Sequence, residues 1–121
     1  MRVVVFDDVL YHRQGDYDGL GMDLMFFEHA DDAVDVVAVE QPALVLMDYS
    51  MEAHDTGEEA VARLRGVYPR GALRIVGISS DPDSNRRMVL AGADDAVPKS
   101  HLRGYLRVMR RGHGTPGGEL P

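Results

Sequence analysis

The chain contains no cysteine, so neither a disulfide framework nor thiol chemistry is available to it. That fits a cytoplasmic protein. Long apolar runs are also missing, and none approaches the ~20 residues that a membrane helix needs. The first residues read as a strand rather than as a signal peptide. Surplus positive charge is lacking: 13 Lys and Arg face 20 Asp and Glu, for a formal net charge of −7. This balance argues against nucleic-acid binding through a general basic surface. The five His show no HExxH-like spacing, and no Walker-type glycine loop occurs. No internal repeat is present.

What the 121 residues do hold is one domain, long enough for a single buried core. Its central stretch is Leu44-Val45-Leu46-Met47, entered from Pro42 and followed by Asp48. Consecutive apolar residues ending in an acid read as a buried strand that delivers a carboxylate. Chemistry in open parallel sheets collects beyond the carboxyl ends of the strands, so Asp48 is a candidate nucleophile or metal ligand. Other segments end in the same way. Val3 to Phe6 runs into Asp7-Asp8, Leu73 to Ile78 runs into Ser79-Ser80-Asp81, and Asp95 to Pro98 ends at Lys99. Three carboxylates, a hydroxyl and an ammonium thus stand at strand ends and make one site.

Helical patterns separate the strands, which predicts an α/β sheet of five parallel strands. Val9 to Gly21 is the least regular connection. Its glycines at 15, 19 and 21 favour loop over helix, so the first helix is expected to be short or irregular. Leu24 to Phe27 reads as an edge strand. Asp31 or Asp32 caps a helix to Glu40, and Pro42 ends it before the central strand. A helix is expected near Glu58 to Val67, with Ala60, Val61 and Leu64 inward. Asp81-Pro82 opens the next, to Leu90, with Pro at its first position. Ser100 is expected to cap a last helix to about Arg111, with Leu102, Leu106 and Met109 inward. From Gly112 the composition, four Gly and two Pro in ten residues, reads as a disordered tail over 112–121.

Taken together, residues 1–111 resemble a response-regulator receiver domain, the CheY-like module of two-component signalling. The resemblance rests on Asp7-Asp8, Asp48, Ser79 and Lys99 in order. It also rests on the strings Gln41-Pro42-Ala43-Leu44-Val45-Leu46-Met47-Asp48 and Ala91-Gly92-Ala93-Asp94-Asp95. It implies a CheY-like (flavodoxin-like) doubly wound sheet of order 2-1-3-4-5. It further implies that Asp48 accepts a phosphoryl group from a histidine kinase or phosphotransfer protein. Asp7, Asp8, Asp48 and the backbone carbonyl of Ser50 would hold Mg²⁺, while Lys99 and the Ser79 hydroxyl would meet phosphoryl oxygens. Such a domain is a phosphoacceptor rather than an enzyme acting on a separate substrate, and it signals to a downstream protein by contact. The chain departs from the family at Glu52, where Pro is usual, and at Ser100, where Pro often follows the lysine. It departs again at Ala96, where an aromatic residue is common. The alternative is a degenerate receiver that works as a phosphorylation-independent interaction module. Haloacid-dehalogenase phosphatases also use an Asp after a strand, but they need a second Asp where this chain has Ser50. A short first helix would leave apolar sheet surface beside the last helix for a partner or a homodimer contact.

Overall fold

A computed structural model of the chain describes residues 1–113. Five parallel strands form its centre: β1 (Arg2–Phe6), β2 (Asp23–Phe27), β3 (Leu44–Met47), β4 (Arg74–Gly77) and β5 (Asp95–Ala96). Their order is β2-β1-β3-β4-β5, as the resemblance to receiver domains implies. The helices are α1 (Asp8–Tyr11), α2 (Ala33–Glu40), α3 (Gly57–Val67), α4 (Pro82–Ala91) and α5 (Leu102–His113).

Alternation along the strands fills two cores. Val4, Phe6, Val45, Met47 and Ile75 point to the side covered by α2, α3 and α4. Val3, Val5, Leu44, Leu46 and Val76 point to the side covered by α1 and α5. Both faces of β1 and β3 are buried, which is why these strands read as unbroken apolar runs rather than alternating ones. Each large side chain buried here contributes about 1.5–3 kcal/mol. On α5, Leu102 and Leu106 are buried as predicted, whereas Met109 is only half-buried.

The first helix is a single turn followed by a 3-10 turn over Gln14–Tyr17. This irregular segment still covers sheet. Leu20 is buried in the α5-side core, and Tyr17, Met22, Leu24 and Phe26 pack partly buried against it. Arg103 of α5 holds it in place, stacking its guanidinium 5.2 Å over the Tyr17 ring and donating to the Asp16 carbonyl.

Several expected boundaries move. β5 has two residues instead of reaching Pro98, because Pro98 has no N–H to continue the ladder. Ser100 does not cap α5. Lys99–His101 already form a 3-10 turn, closed by the His101 N–H on the Pro98 carbonyl at 2.8 Å. Asp32 stands at the N-cap of α2 without a side-chain cap bond, its φ of −104° and ψ of 25° departing from the extended backbone of a capping residue. Asp31 accepts from the Asp55 N–H instead. α5 continues through Gly112 to His113, two residues past the expected end. The rest of the expected tail, 114–121, lies outside the described residues.

Candidate functional site

Strand register assembles the site. Phe6 pairs with Met47, and Met47 with Gly77. One residue further the ladder persists: the Asp48 N–H donates to the Phe6 carbonyl at 2.9 Å, and the Asp7 N–H to the Phe27 carbonyl at 3.0 Å. The residues that follow β1 and β3 therefore leave the sheet side by side. Asp7, Asp8 and Asp48 each place a carboxylate oxygen within 4.8 Å of the others.

The three acids differ in setting. Asp7 is fully buried and caps α1, its Oδ1 accepting from the N–H groups of Val9 and Leu10 at 2.9 Å each. Its Oδ2 meets the Lys99 ammonium at 2.7 Å in a charge-assisted contact. Asp48 is buried, with Oδ1 3.5 Å from the same nitrogen. Burial first, and then the Asp7 charge, push its carboxyl up to about 6, against the opposing pull of Lys99. Asp8 is half-buried at the mouth, where its Oδ2 receives a long hydrogen bond of 3.5 Å from the Glu52 N–H. Lys99 loses charge stability through burial, but Asp7 and Asp48 outweigh this and raise its pKa.

Two carboxylates at the floor share one ammonium, and a third stands at the rim. Negative charge is in surplus, because three carboxylates gather within 4.8 Å and, among the described residues, only Lys99 opposes them at ion-pair distance. An all-oxygen donor set of this kind suits a small hard cation such as Mg²⁺. Asp7, Asp8 and Asp48 are the residues that would hold it. Ser50 lies exposed on the loop two residues beyond Asp48.

Ser79 is buried at the end of β4, with its Oγ accepting from the Asp81 N–H at 3.0 Å. Asp81 caps α4, bonding the Asp83 N–H and the Ser84 hydroxyl. Two residues that the sequence pattern does not mark as functional shape this pocket. Asn85 is buried in the first turns of α4 and clamps Ser79, accepting from its N–H at 2.8 Å and donating to its carbonyl at 2.9 Å. The same amide donates to the Val97 carbonyl at 3.4 Å, two residues before Lys99. A polar residue on a helix carries no mark of this role in sequence. Gly57, the first residue of α3, donates to the Tyr49 carbonyl at 2.7 Å and lies against the backbone of Asp48. The capping box of Thr56 and Glu59, which fixes the start of α3, was the local signal that could have drawn attention to it.

No protein-family model matches the chain, and no curated protein resembles it in sequence. Solved structures do resemble it in fold. The receiver domain of the sensor histidine kinase PA1611 from Pseudomonas aeruginosa superposes with TM-score 0.75 at 18% identity, over 94% of this chain and 98% of that one. That structure has a magnesium ion coordinated in its active-site cleft. Chemotaxis protein CheY4 of Vibrio cholerae gives 0.73 at 19% identity, over 91% and 96%. NtrX of Brucella abortus gives 0.73 at 20%, over 91% of this chain but only 26% of the larger NtrX. With order 2-1-3-4-5, helices on both faces and acids at the ends of β1 and β3, the chain has the CheY-like fold of response-regulator receiver domains.

Proposed function

We propose that the chain is a response-regulator receiver that accepts a phosphoryl group on Asp48 in a Mg²⁺-dependent reaction. The observation that carries this reading is the buried Asp48 carboxylate, set beside Asp7, with Lys99 between them. A bound Mg²⁺ would neutralise the acids and polarise phosphoryl oxygens. Asp48 supplies the nucleophilic oxygen. As its bond to phosphorus forms, the phosphorus–nitrogen bond of a phosphohistidine donor breaks, and the freed imidazole takes a proton. Lys99, now drawn to Asp7 and Asp48, can offer its charge to the transferred group. The Ser79 hydroxyl proton is free to donate, because its oxygen acts only as an acceptor toward Asp81.

The donor in this reading is a histidine kinase or phosphotransfer protein, and the output is contact with a downstream protein or a second copy of the chain. The chemistry is acceptance and self-hydrolysis of an acyl phosphate rather than turnover of a separate substrate. No helix among the described residues is long and apolar enough to cross a membrane. The complete acid–lysine–serine set favours this over a phosphorylation-independent module. The test is incubation with acetyl phosphate and Mg²⁺, read by intact mass. Wild type gains one phosphoryl group; Asp48→Asn and chelated wild type gain none. Equal labelling of Asp48→Asn would remove the assignment.

A further inference from the structure

Outside the carboxylate pocket, one other set of metal-ligating side chains among the described residues closes on itself. His29 and Asp31 lie on the loop between β2 and α2, and His54 on the loop between β3 and α3. One ligand atom of each lies within 4.8 Å of the other two. Asp31 is the centre of the group. Its Oδ2 is 2.7 Å from His54 Nδ1 and 3.9 Å from His29 Nδ1. Its Oδ1 accepts from the Asp55 N–H at 3.1 Å, which orients the carboxylate and leaves Oδ2 between the imidazoles. An outer hydrogen bond of this kind is how proteins aim a carboxylate ligand. The loop geometry serves the same meeting. Ala53 takes a left-handed φ of 62°, and the His54 N–H closes a turn on the Met51 carbonyl at 3.0 Å. His29 and His54 line a cavity of about 710 Å³ that also contains His12 and Glu28.

We propose that His29, Asp31 and His54 bind one divalent transition-metal ion of the Zn²⁺ class, at a site separate from the carboxylates around Asp48. Two imidazoles and a carboxylate suit Zn²⁺, Ni²⁺ or Cu²⁺ rather than Mg²⁺, which favours oxygen donors. Tetrahedral bonds of about 2.0–2.1 Å set donor atoms ~3.3 Å apart. The observed 2.7 and 3.9 Å bracket that spacing, so one contact opens and the other closes by roughly 0.6 Å. The rings now stack, with centroids 4.1 Å apart and planes 14° apart, and two such planes cannot both contain one ion. Binding therefore turns at least one ring about its Cβ–Cγ bond. Side-chain exposures of 35% for His29 and 37% for His54 leave room for that turn. Ligation through His54 Nδ1 requires the Nε2–H tautomer. The proton now shared with Asp31 Oδ2 is therefore given to solvent while Nε2 takes one up, or, from a doubly protonated ring, is lost to solvent outright. Water completes the coordination.

This site does not depend on phosphorylation of Asp48, and its test reads metal alone. The full chain, with excess Mg²⁺ present, is titrated with Zn²⁺ by calorimetry and with Co²⁺ by visible absorption. One Zn²⁺ per chain is expected, and Co²⁺ should give the intense bands of a tetrahedral site. His29→Gln and His54→Gln, checked for folding by circular dichroism, should each weaken Zn²⁺ binding roughly tenfold or more. His101→Gln, on a different face, should leave it unchanged. Absence of Zn²⁺ binding overturns the proposal. So does binding that survives in both His variants but is lost in Asp48→Asn, since the ion would then occupy the carboxylate pocket.

Discussion

Gly57 lies against the main chain of Asp48 so closely that a Cβ on it would overlap the Asp48 carbonyl oxygen and stand 2.8 Å from Met88 Sδ. The backbone that carries the central carboxylate therefore has the start of α3 packed directly upon it. Gly57→Ala must move one or the other. The expected cost is about 1–3 kcal/mol in urea unfolding, because rigid backbone rather than a flexible side chain blocks the methyl group. Phosphoryl acceptance should fall with it. A wild-type unfolding midpoint would show that the loop yields freely.

Stability should depend on pH through Asp48. Its carboxyl rises from an ordinary 3.8 to about 6 in the fold, so holding it ionised costs roughly 3 kcal/mol above that range. Between about 4 and 6 the native chain keeps a proton that the unfolded chain has released. This contribution is therefore unfavourable at pH 7 and is relieved as pH falls through 6, completely so near 4. Asp31 and Glu59, both shifted down by their hydrogen bonds, pull the other way in acid. The difference between wild type and Asp48→Asn isolates the effect. In chelator, Asp48→Asn should be more stable at pH 7, with the gap closing toward pH 4. Added Mg²⁺ should stabilise wild type at pH 7 far more than the variant. A gap that is independent of pH would count against this.

Arg65 of α3 ties the α3, α4 and β4 ends together. It donates to the Gly92 carbonyl at 2.7 Å, the Leu73 carbonyl at 2.8 Å and Asp94 Oδ2 at 2.8 Å. Asp94 Oδ2 in turn accepts from the Ile75 N–H at 2.8 Å. With its side chain only 11% exposed, Arg65 cannot be removed without taking the donor from two carbonyls and leaving Asp94 with the more distant Arg70, at 3.4 Å, as its charge partner. Arg65→Ala should cost about 3 kcal/mol, and Arg65→Lys most of that, since an ammonium cannot span the same fork. Equal stability of Arg65→Lys and wild type would show that charge alone suffices.

Asn85 should couple the phosphorylation pocket to α4 and β5. Its amide joins Ser79 to the Val97 carbonyl, so a shift of Ser79 reaches both elements without an aromatic ring at Ala96. Tyr105, the aromatic residue nearby on α5, is tethered through its hydroxyl to Arg74 at 3.1 Å. Amide NMR with beryllofluoride and Mg²⁺ should show shifts over residues 81–90 and near Val97, with the Tyr105 ring unmoved. Asn85→Ala should lose the Val97 response and about 1–3 kcal/mol of stability. Shifts confined to the loops at Asp48 and Lys99 would sink this route.

Sequence pattern alone showed five parallel strands alternating with helices and the five polar residues that follow strands. The strand order came from the resemblance to receiver domains. Runs such as Val3–Phe6 and Leu44–Met47 can only be satisfied when covered on both sides, and parallel strands put their carboxyl ends together. The short first helix was legible too, because glycines at 15, 19 and 21 deny it length. Tertiary structure decided what depended on contacts between distant segments. Ser100 fails as a cap because the chain already turns helical at Lys99. Asp31 leaves the α2 cap for His54, 23 residues away. Gly57 is fixed by a carbonyl nine residues earlier, and Asn85 by a loop on the neighbouring strand. Local pattern records which faces must be buried, but side-chain pairings across loops arise only once the sheet has set the loops side by side.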